Sequence, residues 1–146
     1  MKKTGWIAAM VFLADRITKA FWDRIPQGGI RLIPGVLGLR QARNTGMAFS
    51  LFSGHPWLLG MVSLVLIAGA FFLLRGKELS TPSRIGLMMM LGGGLSNLAD
   101  RLLLGYVPDM IELLFMRFAI FNVADACLVV GCGLVMISLF GREKDG

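Results

Sequence analysis

Cysteine, histidine and charge are all scarce in this 146-residue chain, and each scarcity closes off a class of chemistry. The two cysteines, Cys127 and Cys132, lie five positions apart in one apolar run. On a helix they point to different faces, so a disulfide between them is not expected and they read as small apolar fillers. A single histidine, His55, and no paired thiols leave nothing resembling a zinc site. Any hydrolytic chemistry is therefore expected to run on carboxylates, with no metal and no cofactor. Charged residues make up only 16% of the chain against 55% hydrophobic ones, and the mean hydropathy is +0.70. That is not the make-up of a soluble globule. The net charge of +6 comes from basic residues that are scattered rather than gathered into a stripe, so nucleic acid is excluded as a partner. Several of them sit at the ends of apolar runs, where Lys and Arg meet membrane lipid headgroups.

The length fits one domain, residues 1–146. Four apolar runs, at about residues 5–22, 57–74, 85–104 and 120–140, each approach the roughly 20 residues that a helix needs to span a bilayer. The first, opened by Lys2 and Lys3, also resembles a cleaved signal peptide. No convincing small-residue cleavage site follows it, and a retained helix is expected. The fold class expected is thus an all-α membrane protein of four transmembrane helices, with outer loops at 23–56 and 105–119. Basic residues are denser in the short segments on the side of the two termini, which places both termini in the cytoplasm. Within the long first loop, turn signals at Pro26–Gly29 and Pro34-Gly35 separate short alternating stretches. These predict a small β-rich extracytoplasmic element between helices 1 and 2, lying against the outer membrane surface. Glycines crowd the third and fourth runs, and Gly92 with Ser96 forms a small-xxx-small pair that permits close helix contact.

With that threading, the polar residues of the spans gather at one end. Asp15 and Lys19 fall in the outer half of the first helix, and Asn97, Asp100 and Arg101 in the outer half of the third. Asn122 and Asp125 open the fourth, and Asp109 lies in the loop before it. Asp15 and Lys19 are an i, i+4 pair in the favourable order, and Asn97, Asp100 and Arg101 share a face. Such groups often act as buried ion pairs that fix helix packing, and Asp15, Lys19, Asp100 and Arg101 are read first in that way. Asp109 and Asp125 differ, because neither has a cation three or four residues away in its own segment. Unpartnered carboxylates at the edge of hydrocarbon are costly and seldom idle. Two that share a wet pocket can divide into an acid and a base. By spacing alone, Asp100 competes with Asp109 as the partner of Asp125.

Four blocks of this sequence together resemble the lipoprotein signal peptidase family, also called signal peptidase II. They are Asp15-Arg-Ile-Thr-Lys19, Asn44-Thr-Gly-Met-Ala-Phe-Ser50, the glycine-rich run from Gly92 through Asn97-Leu-Ala-Asp100-Arg101 to Gly105-Tyr-Val-Pro-Asp109, and Phe121-Asn-Val-Ala-Asp125. They occur in family order and cover nearly the whole chain. The resemblance implies that Asp109 and Asp125 are the catalytic pair and that Asp100 is a supporting residue. It implies substrate-binding or supporting roles for Asn44, Gly46, Asn97, Asp100, Arg101, Asn122, Ala124, Asp15 and Lys19. It implies an aspartic endopeptidase of the bacterial inner membrane with its active site on the periplasmic side; a monomer is expected. Its partners are then prolipoproteins bearing a lipid-modified cysteine, cut just before that residue. Three positions depart from the family's usual residues: Arg16 where Gln is common, Met47 where Ala is usual and Ser96 where Gly is usual. A rival reading, a small proton- or cation-coupled transporter using Asp15 and Asp125, suits the sequence less well. Transport sites sit near the midplane between repeats, whereas these acids lie near one surface and the halves show no repeat.

Overall fold

The computed structural model describes residues 4–46, 61, 63–65, 67–69, 71–72 and 79–142. The elements whose bounds are described are α1 (Gly5–Ala20), β1 (Ile30–Ile33), β2 (Leu37–Asn44), α2 (Thr81–Leu103), β3 (Val107–Leu113) and α3 (Val123–Arg142), the three strands forming one sheet. A single 3₁₀ turn, Trp22–Arg24, follows α1. The expected second helix, 57–74, falls largely outside the described residues; those of its residues that are described are helical. Met47 also lies outside them.

The ends of the helices follow local chemistry more than hydropathy. α2 starts at Thr81, four residues before the apolar run, because Ser80 caps it through its hydroxyl on the Ser83 N–H (3.3 Å) and Pro82 fits the first turn. α3 starts at Val123 rather than 120, because Phe121 is held in a bridge to Ile111. Along α1, Trp6, Met10, Leu13 and Ile17 are exposed at helical spacing while Asp15 is completely buried. The same inversion runs through the molecule. Its largest fully buried side chains include Asp15, Asp100, Asp109 and Asn122, while Val129, Ile137 and Leu103 face outward. Among the described residues, Val123–Phe140 is a helix long and apolar enough to cross a membrane, with a mean hydropathy of 2.3.

α2 is the central helix and packs on both others. A side chain at Gly86 or Gly131 would run into the carbonyl of the other, so α2 and α3 meet backbone to backbone there. The expected small pair on α2 faces α1: Gly92 abuts Ala8, and Ser96 reaches Asp15.

The β-element is present but larger than the sequence predicts. Its order is β1-β2-β3, antiparallel throughout, and the turn at Pro34-Gly35 closes the first hairpin with Gly35 at φ 75°. β3 lies within the segment 105–119, between α2 and α3, so the sheet draws its third strand from a stretch where the sequence predicts none. Its first four residues are all buried, so no alternation of polar and apolar positions betrays a strand. Pro108 further hides it, although Pro is tolerated on an edge strand such as this. The register of β2 on β3 slips between Leu39 and Ala42, and beyond the slip Ala42 stands opposite Asp109.

Candidate active site

Asp109 and Asp125 are brought together by different devices. Asp109 sits on β3, 1% exposed, where the sheet edge turns its side chain inward. Asp125 occupies the third position of α3, and its placement is a capping box. The Asn122 side-chain oxygen accepts the Asp125 N–H at 2.8 Å, and Asp125 faces back to the Asn122 N–H at 3.4 Å. A carboxylate in the first turn of a helix also gains from the helix dipole.

Two asparagines bridge the acids. The Asn122 amide donates to Asp109 Oδ1 at 2.6 Å and to Asn97 Oδ1 at 3.2 Å. The Asn97 amide in turn donates to Asp125 Oδ1 at 2.7 Å. From β2, the Asn44 amide donates to Asp109 Oδ2 at 2.9 Å, and the Asn44 oxygen accepts the Gly46 N–H at 3.0 Å. Both groups expected to meet substrate at Asn44 and Gly46 are thus engaged within the protein in this structure.

Behind the dyad lies a buried charge cluster. Lys19 Nζ sits 2.6 Å from Asp15 Oδ2, 2.7 Å from Asp100 Oδ2 and 3.0 Å from Asn97 Oδ1. The cluster therefore includes Asp100 as an ion-pair partner, and it reaches the dyad through Asn97. Because ammonium can only donate, Lys19 turns the Asn97 oxygen toward itself and the amide toward Asp125. Asp15 does more than pair with Lys19. Its Oδ1 accepts the Ala124 N–H at 2.9 Å, which satisfies another free N–H in the first turn of α3. Ala124 is fully buried, and a side chain at Gly93 would collide with its carbonyl. Arg16, whose partner is not evident from the sequence, places Nη2 2.6 Å from Asp100 Oδ1 and donates from Nε to Ser96 Oγ at 3.0 Å. The contact with Asp100 is one of charge: that oxygen has no aligned hydrogen bond among the described residues. Arg101 donates to the Asn97 carbonyl at 3.4 Å and lies within electrostatic reach of Asp100, Asp109 and Asp125. Its Nε–H is buried and meets no acceptor among the described residues.

The electrostatics of Asp109 suit proton transfer. Burial pushes its carboxyl up to about 7, and the charge of Asp125 adds to the rise. Hydrogen bonds from Asn44 and Asn122, and the charge of Lys19, pull it partly back. A carboxyl raised this far gains and loses its proton near neutral pH, which suits it to acid–base work beside a second carboxylate.

One site residue escapes the sequence reading altogether. Trp22 closes the first apolar run; it is 6% exposed and donates from Nε1 to the Asp109 carbonyl at 2.8 Å. No spacing rule links positions so far apart.

The family model for signal peptidase (SPase) II matches residues 7–141. The chain belongs to the signal peptidase II family. Among curated relatives, the lipoprotein signal peptidase of Streptococcus pyogenes serotype M2 is 37% identical, with 100% of this chain and 99% of the relative covered. That of serotype M1 is 36% identical over the same shares. A bacterial membrane enzyme solved by the in meso method at 2.3 Å resolution superposes with a TM-score of 0.89 at 25% identity, covering 99% of this chain and 92% of that one. A second, solved by the same method at 1.9 Å, gives 0.82 at 26% identity, covering 95% and 93%. As a signal peptidase II, the chain is a peptidase of a membrane-enzyme family, and the transporter reading falls away.

Proposed function

We propose that this signal peptidase II removes the signal peptide from bacterial prolipoproteins, cutting just before a cysteine that carries a diacylglyceryl group. The observation that carries this is the pair Asp109 and Asp125, bridged through Asn122 and Asn97 in a peptidase of this family. In the proposed mechanism one Asp is ionised and takes a proton from water as its oxygen attacks the scissile carbonyl. The other, protonated, donates to the carbonyl oxygen. Collapse of the tetrahedral intermediate breaks the C–N bond; the leaving amine takes up the proton held by the base, and the hydroxyl formed from the carbonyl returns its proton to the Asp that supplied it. The coupled pair shares its proton, so the roles belong to the pair.

Apolar side chains outside and carboxylates inside support a setting in lipid, with four helices crossing the inner membrane and both termini in the cytoplasm. The site then opens at the periplasmic side, where a lipid-anchored precursor arrives laterally. Asn44 and Gly46 border the entrance, and the Arg101 Nε–H, which meets no acceptor among the described residues, offers a donor to the bound chain. Asp15, Lys19, Asp100, Asn97, Asn122 and Ala124 hold the frame. The protein works as a single domain and a monomer.

Purified protein in detergent should cleave a lipidated precursor and spare the same precursor lacking its diacylglyceryl group. Asp109→Asn and Asp125→Asn should each fold and fail to cleave, since Asn keeps the volume and loses the titration. Turnover at the wild-type rate by either variant would refute the assignment.

A further inference from the structure

The peptide plane joining Asp109 to Met110 is gripped from both sides. Its carbonyl accepts the Trp22 indole N–H at 2.8 Å, and its N–H donates to the Phe121 carbonyl at 3.0 Å. That carbonyl also takes the Ile111 N–H at 2.8 Å. Trp22 comes from the exit of α1, whereas Phe121 immediately precedes Asn122, the residue that caps α3 and contacts both acids. The plane is thus the joint at which α1, β3 and the start of α3 meet.

Trp22 is itself fixed at this joint. Its own carbonyl accepts from Gln41 Nε2 at 3.0 Å, at the place where the register of β2 on β3 slips. Its ring packs with Ile25 and Met110, lies 6.3 Å from the Tyr106 ring and carries the Arg43 guanidinium at 5.7 Å. Arg43 also covers Tyr106 at 5.1 Å, so one exposed cation spans both aromatic faces. Gln41 and Arg43 lie on β2 just before Asn44, which holds the outer oxygen of Asp109. In effect, the side chain of Asp109 is held by Asn44 and Asn122, while its main chain is held by Trp22.

Resting on the proposed role of Asp109, we infer that Trp22 is a positioning residue of this peptidase, whose indole N–H sets the orientation of the Asp109 carboxyl toward Asp125. Rotation of an unpinned peptide plane swings the Cα–Cβ bond of the residue before it. A displacement of about 1 Å at a reacting group can lower a rate about a hundredfold. A core tryptophan that only filled space would tolerate loss of its N–H so long as its shape remained.

The test is to replace Trp22 by benzothienylalanine, which keeps the ring shape and removes the donor, alongside Trp22→Phe. Both are compared with wild type on the lipidated precursor, with Asp109→Asn as the inactive control. We expect kcat to fall about tenfold or more while KM stays within about twofold, since Trp22 acts on geometry and not on substrate. The pH profile of kcat should shift as well, because Asp109 would face Asp125, Lys19 of α1 and Arg101 of α2 at changed distances. Wild-type kcat and pH profile in the benzothienyl variant would overturn the inference. So would a loss of activity in both variants that parallels a loss of thermal stability. An active Asp109→Asn control would instead overturn the proposed function on which the inference rests.

Discussion

Arg16 donates from Nε to Ser96 Oγ at 3.0 Å, which joins two positions that the sequence singles out against the resembled pattern. The two side chains form one linked contact. A serine on α2 supplies an acceptor for the guanidinium and donates onward to Asp15 Oδ2 at 2.7 Å. The same guanidinium adds a second cation to the two carboxylates that Lys19 otherwise shares. Arg16→Gln is expected to lower the thermal stability of the purified protein by about 1–2 kcal/mol, the usual scale for loss of a partly buried ion pair. Ser96→Gly should cost less in the Arg16→Gln background than alone, with a coupling of about 1 kcal/mol. Strict additivity in a double-mutant cycle would show that the two positions are independent.

Lys19→Met and Asp15→Asn each leave the buried cluster of Asp15, Asp100, Lys19 and Arg16 with one charge in excess, and each should destabilise the protein, by up to about 3–5 kcal/mol. Their combination should cost less than the sum, as measured by thermal unfolding in one detergent. Lys19→Met should also depress kcat below what its folded fraction explains, because the Asn97 amide loses the cation that orients it toward Asp125. Activity that scales with the folded fraction alone would limit Lys19 to packing.

The raised carboxyl of Asp109 has a stability signature. In the unfolded chain the group titrates near 3.8, and in the folded protein near about 7. The protonated acid therefore favours the folded state fully below the lower value. That contribution is lost as pH rises between the two, where the unfolded chain sheds its proton first. Asp109→Asn does not titrate, so its melting temperature relative to wild type should climb from pH 4 to pH 7 and level off above. A shift of three units is worth about 4 kcal/mol, of which the substitution should recover a part. A pH-independent difference would contradict a raised carboxyl.

Activity should follow a bell-shaped pH profile for kcat/KM, with its alkaline limb near the raised value of about 7. Asn44→Ala removes a hydrogen bond that lowers the Asp109 carboxyl, and it should move that limb upward. A limb that stays in place in Asn44→Ala would mean that another group governs it. A strong chelator should leave the whole profile unchanged. Loss of cleavage on chelation, restored by zinc or manganese, would make the aspartates metal ligands and end the two-carboxylate mechanism.

Hydropathy sufficed to place α1, α2 and α3 to within a few residues, since each is a run of apolar side chains with polar groups at one end. The meeting of Asp15, Lys19, Asn97, Asp100, Asn122 and Asp125 followed from that threading, because helix direction alone decides which ends coincide. The spacing of Asn122 and Asp125 is also the signature of a helix start, which fixes the Asp125 side chain by local rules. Asp109 is different. Its strand is paired with residues far back in the chain and is buried on both faces, so neither period nor composition marks it. Trp22 and Arg16 fall under the same limit. Their partners, the Asp109 carbonyl and Ser96, are specified by packing between elements, which leaves no trace in local sequence.

The pairing of β2 with β3 imposes an order on how the molecule is made. Leu37 pairs with Leu113 and Asn44 with Val107, and α2 lies between the two strands in the chain. During synthesis from the N-terminus, β1 and β2 emerge with one side unpaired and wait for β3 to follow. Lys19, Asn44 and Asn97 are likewise made before either Asp109 or Asp125 exists. Asp125 is thus the last of the clustered side chains to be synthesised, and β3, which carries Asp109, also closes the waiting sheet. A chain arrested before that strand is left with an open edge and no protease.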